Sequence, residues 1–169
     1  NQLLPLDAKS LKSIAIIGPN ADQVQFGDYT WSRNNKDGVT PLQGIKNRVN
    51  KNTAIHYAKG CSLTSLDTSG IAEAVEAAKN SEIAVIFGGS ASAALARDYK
   101  SSTCGEGFDL NDLNLTGAQS QLIREVYRTG TPVILVLVTG KPFVIEWEKN
   151  NLPAILVQWY AGEQAGNSI

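Results

Sequence analysis

Residues 133–138 read VILVLV, an unbroken apolar run set off by Gly130 and Pro132 before it and by Gly140 and Pro142 after it. A strand with one face in water alternates apolar and polar side chains, so a run without alternation predicts a strand covered on both faces, as in a parallel sheet. Its hydrophobicity makes it the expected central strand. Working outward, residues 13–17 (SIAII) end in Gly18 and Pro19, residues 83–87 (IAVIF) end in Gly88 and Gly89, residues 54–58 (AIHYA) alternate, and residues 154–159 (AILVQW) supply a fifth run. Between these runs the apolar spacing changes to that of helices. Thr40 is a candidate N-cap with Pro41 in the first helical position, followed by Leu42, Ile45 and Val49. Ile71, Val75 and Ala78 form one face of a second helix, with Glu73, Glu76 and Lys79 elsewhere. Thr116 and Gln119 suggest a capping box for a third, with Leu122, Ile123, Val126 and Tyr127 inward, and a short fourth helix carries Val144 and Trp147. Strands separated by helices throughout predict an α/β three-layer sandwich, a mostly parallel sheet of about six strands with helices on both faces.

With 169 residues and 43% hydrophobic content, the chain is long enough for one domain with its own core. Fifteen basic residues nearly balance sixteen acidic ones, for a net charge of −1, and there is no block of like charge. Neither nucleic acid nor an anionic membrane surface is an expected partner. No apolar run reaches the roughly 20 residues of a membrane span, and no signal-peptide pattern opens the chain, so it reads as soluble. It contains no Met, and its last residues, GEQAGNSI, look like the start of a helix. We therefore expect a piece of a longer polypeptide, with residues 1–12 as a linker clipped on by Leu3, Leu4 and Leu6, and residues 13–169 as a domain truncated at its C-terminal end. Cys61 and Cys104 lack metal-ligand spacing. Free thiols are the default expectation, and a single bridge between neighbouring rim loops is the alternative.

Ligands of open parallel sheets bind beyond the carboxyl ends of the strands. The loop holding Tyr29, the positions of Cys61 and Ser90, the excursion holding Glu106, and Glu163 all follow strand ends. Residues 101–115, SSTCGEGFDLNDLNL, stand out because Glu106 lies between Gly105 and Gly107 in a long polar connection. Flanking glycines let the backbone bend and present the carboxyl group outward, where it could serve as a general acid. The plainer reading is a solvated loop glutamate, with Asp109 and Asp112 as loop caps. Tyr29, Trp31 and Arg33 in residues 26–39 could form an aromatic wall for a sugar ring, or simply pin the loop by packing. The GPNAD turn after the first strand is a poor phosphate cradle, since Pro19 has no amide donor and neither GxGxxG nor GxxxxGK[ST] is present. No cofactor or metal is implied. His56, the only histidine, is mid-strand, and no GxSxG elbow supports a serine triad.

Seven motifs then fall in one order: NQLLPL (1–6), IAIIGPNAD (14–22), TPLQGI (40–45), YAKGC (57–61), GEGFDLNDLNL (105–115) with a Q..LI helix, PVILVLVTGKP (132–142) and AILVQWYAGEQAGNSI (154–169). Together they make the whole chain resemble the second domain of glycoside hydrolase family 3, the β-glucosidases and β-xylosidases. The resemblance implies an α/β sandwich packed against an N-terminal barrel, with the active site at their junction. It gives the nucleophilic aspartate to the barrel and the general acid/base role to Glu106, with Tyr29 and Trp31 walling the leaving-group subsite. Leu110 stands where many relatives have arginine. The implied substrate is a β-linked oligosaccharide of plant type, with a tilt toward xylose, and that class suggests a periplasmic or extracellular setting. The rival from another class is a non-catalytic carbohydrate-binding or domain-packing module.

Overall fold

The computed structural model describes residues 3–32, 37–92, 103–107 and 111–169. Five strands, β1 (Ser13–Ile17), β2 (Ala54–Ala58), β3 (Ala84–Gly89), β4 (Val133–Val138) and β5 (Ala154–Val157), form one sheet in the order β2-β1-β3-β4-β5. Every pairing is parallel. The sheet thus has five described strands rather than about six. VILVLV is β4 and is buried throughout, yet β3 holds the centre. Hydrophobicity reports only that a strand is covered on both faces, which holds for β3 as well as for β4.

Among the described residues the helices are α1 (Pro41–Arg48), α2 (Ile71–Lys79), α3 (Gln119–Tyr127) and α4 (Glu146–Asn151), followed by a 3₁₀ turn at Gly162–Gln164. Pleating sends alternate strand residues to opposite layers. Ala15, Ile17, Ile86, Leu135 and Leu137 share one core with Ile71 and Ala74 of α2 and with Leu122 and Val126 of α3. Ile14, Ile16, Val85, Phe87, Ile134 and Val136 share the other with Leu42 and, more peripherally, with Ile45 and the N-terminal Leu3, Leu4, Leu6 and Leu11. This second layer is less filled: a cavity of about 1000 Å³ opens between the N-terminal segment, the end of α1 and the last residues, lined by Leu4, Leu6, Ile45, Val85 and Ile134 among others. Among the described residues no helix is long and apolar enough to cross a membrane.

Local signals held in some places and yielded in others. Thr40 does cap α1, its hydroxyl accepting from the Gln43 amide at 3.2 Å, with Pro41 next to it. Gly44 is needed there because a Cβ would lie 1.7 Å from the Gly166 carbonyl oxygen. The capping box at α3 does not form: the helix starts at Gln119, and the Thr116 hydroxyl donates instead to the Leu63 carbonyl at 2.6 Å. Gln119 turns inward. Its amide nitrogen donates to the Leu63 and Gly89 carbonyls, both at 3.0 Å, and its oxygen accepts from the Gly89 amide at 2.7 Å. The backbone at the end of β3 needs these partners more than the helix needs a cap. Val144 precedes α4 and is exposed, while Trp147 lies within it, edge-on to Tyr127 with ring centroids 5.3 Å apart. β5 stops at Val157, short of the expected 154–159, and Trp159 adopts φ 58°. The expected C-terminal helix is represented only by the 3₁₀ turn.

Candidate active site

The strand order reverses direction at β1: the chain leaves β1 for β2 on one side, then returns to place β3 on the other. Connections leaving β1 and β3 therefore diverge, which opens a crevice at their carboxyl ends. The GPNAD turn sits at this point. Gly18 has φ 113°, and a Cβ there would lie 2.3 Å from the Phe87 carbonyl oxygen, so only glycine permits β1 and β3 to exit side by side. Asn20 is fully buried and donates to the Ser90 carbonyl at 3.2 Å, while Gln25 donates to its oxygen at 2.7 Å. The turn is thus a staple between two strand ends.

The chain after β1 carries Asp28, Tyr29 and Trp31 over the crevice, and the chain after β3 returns through Thr103 to Gly107. Those two paths meet at Glu106. The Tyr29 hydroxyl donates to the Glu106 carboxylate, and the Glu106 amide donates to Asp28 Oδ2 at 2.6 Å. The Ser92 hydroxyl donates to the other Asp28 oxygen. Glu106 is exposed, and the backbone on either side is in the left-handed region, with φ 137° at Gly105 and 70° at Gly107. The bond to the Glu106 carboxylate holds the Tyr29 phenol above its ordinary range, because losing the proton would break that bond and set two negative charges side by side.

Behind Glu106 the loop is stapled to β3. Ser92 and Cys104 pair as an isolated parallel bridge, the Ala91 amide donates to the Thr103 hydroxyl at 2.9 Å, and the Thr103 amide donates to the Ala91 carbonyl at 3.2 Å. Cys104 Sγ lies 2.5 Å from the Tyr160 hydroxyl, which is also 2.8 Å from Ser90 Oγ. Burial, reinforced by the Cys104 contact, pushes the Tyr160 phenol far up, so it stays neutral. Gly140 makes room for this ring: a Cβ there would lie 2.7 Å from it.

Of the residues singled out from sequence, Glu106 and Tyr29 are brought together, while Trp31 on the same loop is fully exposed. Asp112 accepts from the Asn114 amide at 2.8 Å, the loop-capping role expected of it. Asp109, Arg33 and the 93–102 excursion lie outside the described residues. The Glu163 side chain is exposed, and its carbonyl accepts from the Val39 amide at 2.8 Å. Both cysteines are free, which removes the bridge alternative. They belong to different surroundings: Cys61 packs in the apolar layer with Ile71 and Leu122, which pushes its thiol up to about 11, whereas Cys104 joins the Ser90 and Tyr160 hydroxyls. His56 is fixed within β2, paired with Ala15. Asp28, Ser92, Gln119 and Tyr160 went unrecognised as site-building residues. Little local marks them, because most of the partners that place them here lie 30 to 78 residues away.

The fold is a doubly wound parallel α/β sheet with an aromatic loop and a carboxylate loop converging at its switch point. The chain belongs to glycoside hydrolase family 3, since the profile of the Glycosyl hydrolase family 3 C-terminal domain matches residues 1–169. It is 40% identical over 175 residues to a beta-xylosidase from Formosa agariphila, covering 100% of this chain and 23% of that protein. It is 33% identical over 193 residues to a periplasmic beta-glucosidase of Salmonella typhimurium, covering 100% of this chain and 24% of that protein. Among solved structures, a family 3 exo-beta-xylosidase in complex with a xylobiose aziridine probe superposes with a TM-score of 0.83 at 27% identity, over 99% of this chain and 20% of the other. The chain thus spans about a quarter of the length of these curated relatives.

Proposed function

We propose that this domain works within a retaining, exo-acting β-glycosidase that removes terminal xylose or glucose from plant-type oligosaccharides, and that Glu106 is its general acid/base. The nucleophilic carboxylate comes from a barrel domain on the same polypeptide, packed over the carboxyl ends of the strands. The observation that carries this reading is the convergence of Tyr29 and Asp28 on Glu106: a loop glutamate in an otherwise permissive glycine setting is gripped at both its backbone and its carboxylate. A merely solvated side chain needs no such grip. A beta-xylosidase and a beta-glucosidase among the relatives support the substrate class, and the higher identity to the former favours xylose.

In the first step the Glu106 proton passes to the glycosidic oxygen as the bond from that oxygen to the anomeric carbon breaks and the barrel carboxylate bonds to the same carbon. In the second, ionised Glu106 takes a proton from water, which displaces the barrel carboxylate and releases the sugar with its configuration retained. Retaining enzymes hold the two carboxyl groups about 5 to 5.5 Å apart. Tyr29 orients the acid from one side, and the exposed Trp31 offers a flat face to the leaving group.

Glu106→Ala in the full-length protein tests the assignment. Hydrolysis of natural oligosaccharides should fall on the order of 10²- to 10⁴-fold, whereas glycosylation by an activated aryl glycoside, whose leaving group needs no proton, should fall far less. Azide needs no base to attack the intermediate, so it should restore turnover and give a β-glycosyl azide. Equal loss on both substrates with no azide effect would remove Glu106 from the mechanism.

A further inference from the structure

We propose that Asp28 is the positioning residue of the acid/base loop, holding Glu106 by its backbone so that the carboxyl group stands at the scissile bond. This rests on the assignment of Glu106 above and deepens it. Gly105 and Gly107, with φ 137° and 70°, supply no restraint of their own, and a Cβ built on Gly107 would meet nothing within 4 Å. Left to itself, such a peptide samples many orientations, and a displacement of about 1 Å from the reacting geometry costs on the order of 10²-fold in rate.

The restraint comes from one carboxylate. Asp28 Oδ2 accepts the Glu106 amide at 2.6 Å, and Oδ1 accepts the Ser92 hydroxyl. Ser92 is buried at the carboxyl end of the β3 path and is itself bridged to Cys104. Asp28 therefore ties together the loop after β1, the exit of β3 and the acid loop, all at the switch point of the sheet. With each oxygen accepting a protein donor, one from the acid loop and one from the end of β3, Asp28 is built as a brace. Its neighbour Tyr29 takes the Glu106 carboxylate, so adjacent residues of one loop hold the backbone and the side chain of the same glutamate.

The test compares Asp28→Ala, Asp28→Asn, Glu106→Ala and the Asp28→Ala/Glu106→Ala double variant in the full-length enzyme, on an unactivated oligosaccharide and an activated aryl glycoside. Asp28→Ala should lower kcat on the oligosaccharide on the order of 10²-fold with little change in KM, and should spare the aryl glycoside. The double variant should be no worse than Glu106→Ala alone, because a brace has nothing left to position. Asparagine keeps an acceptor for the Glu106 amide and offers its NH₂ to Ser92 Oγ, so Asp28→Asn should recover most of the loss. Losses that add in the double variant, or an Asp28→Ala loss equal on both substrates, would overturn the inference. If Asp28→Ala does not fold, Ser92→Ala removes the second anchor and should show the same selective loss in weaker form; a wild-type profile there also overturns it. A Glu106→Ala enzyme without leaving-group dependence defeats the acid assignment itself, and the proposal with it. A normal Glu106→Ala result beside an indifferent Asp28→Ala defeats only the proposal.

Discussion

Glu106 and Tyr29 touch across 77 residues of sequence, and the bond between them has a measurable sign. The phenol needs its proton to donate, and its ionisation would place a negative charge against Glu106, so Tyr29 ionises above the ordinary tyrosine range. Removing the carboxylate with Glu106→Ala should let Tyr29 ionise earlier. In ultraviolet titration of the two proteins, the variant should gain phenolate absorbance at lower pH, and coincident curves would show that the bond does not persist in solution. Glu106 was legible in the sequence because two glycines isolate it in a polar loop. Tyr29 was legible as one of two exposed aromatics on a strand-end loop. Asp28 was not, since an aspartate in a polar loop has many partners to choose from, and only the three-dimensional crossing of two loops selects the Glu106 amide.

Strands and helices were mostly readable because burial on one or two faces leaves a period in the chain. The α1 cap at Thr40 could be read because the Gln43 amide it caps is three residues on, although its hydroxyl also donates to Asp22 at 2.8 Å. At α3 the same logic failed, since Thr116 and Gln119, though their side chains meet at 3.3 Å, turn to the backbone of Leu63 and Gly89 rather than to the amides of the helix start. Gln119 acts as a side-chain extension of the sheet, completing the backbone hydrogen bonding of β3 where no strand does so. Gln119→Ala should therefore cost more than a lost helix residue would. Leaving the Gly89 amide and two carbonyls without their partner should destabilise the fold by about 3 kcal/mol. The urea midpoint should fall with the slope unchanged, and a shift no larger than that of an exposed alanine substitution would contradict this account.

For the molecule as a whole, the deciding fact is the β2-β1-β3-β4-β5 order, which puts the switch point between the two strands whose loops carry Asp28, Tyr29 and Glu106. The sequence allowed a parallel sheet to be predicted but not this order, because a crossover helix can return to either side of its starting strand. The same order leaves β5 (Ala154–Val157) on the rim, with Leu156 and Val157 partly in solvent. Among the described residues its outer hydrogen-bonding groups face no strand. It carries no lysine and no interior proline, the usual guards against unwanted pairing. When this chain is produced alone, such a rim is a template on which a second copy can lay its own backbone. Sedimentation should show reversible association that grows with concentration, and Val157→Lys should return the chain to monomers. Association indifferent to that charge would locate the sticky surface elsewhere; without it, storage at high concentration should end in slow fibre growth from this one strand.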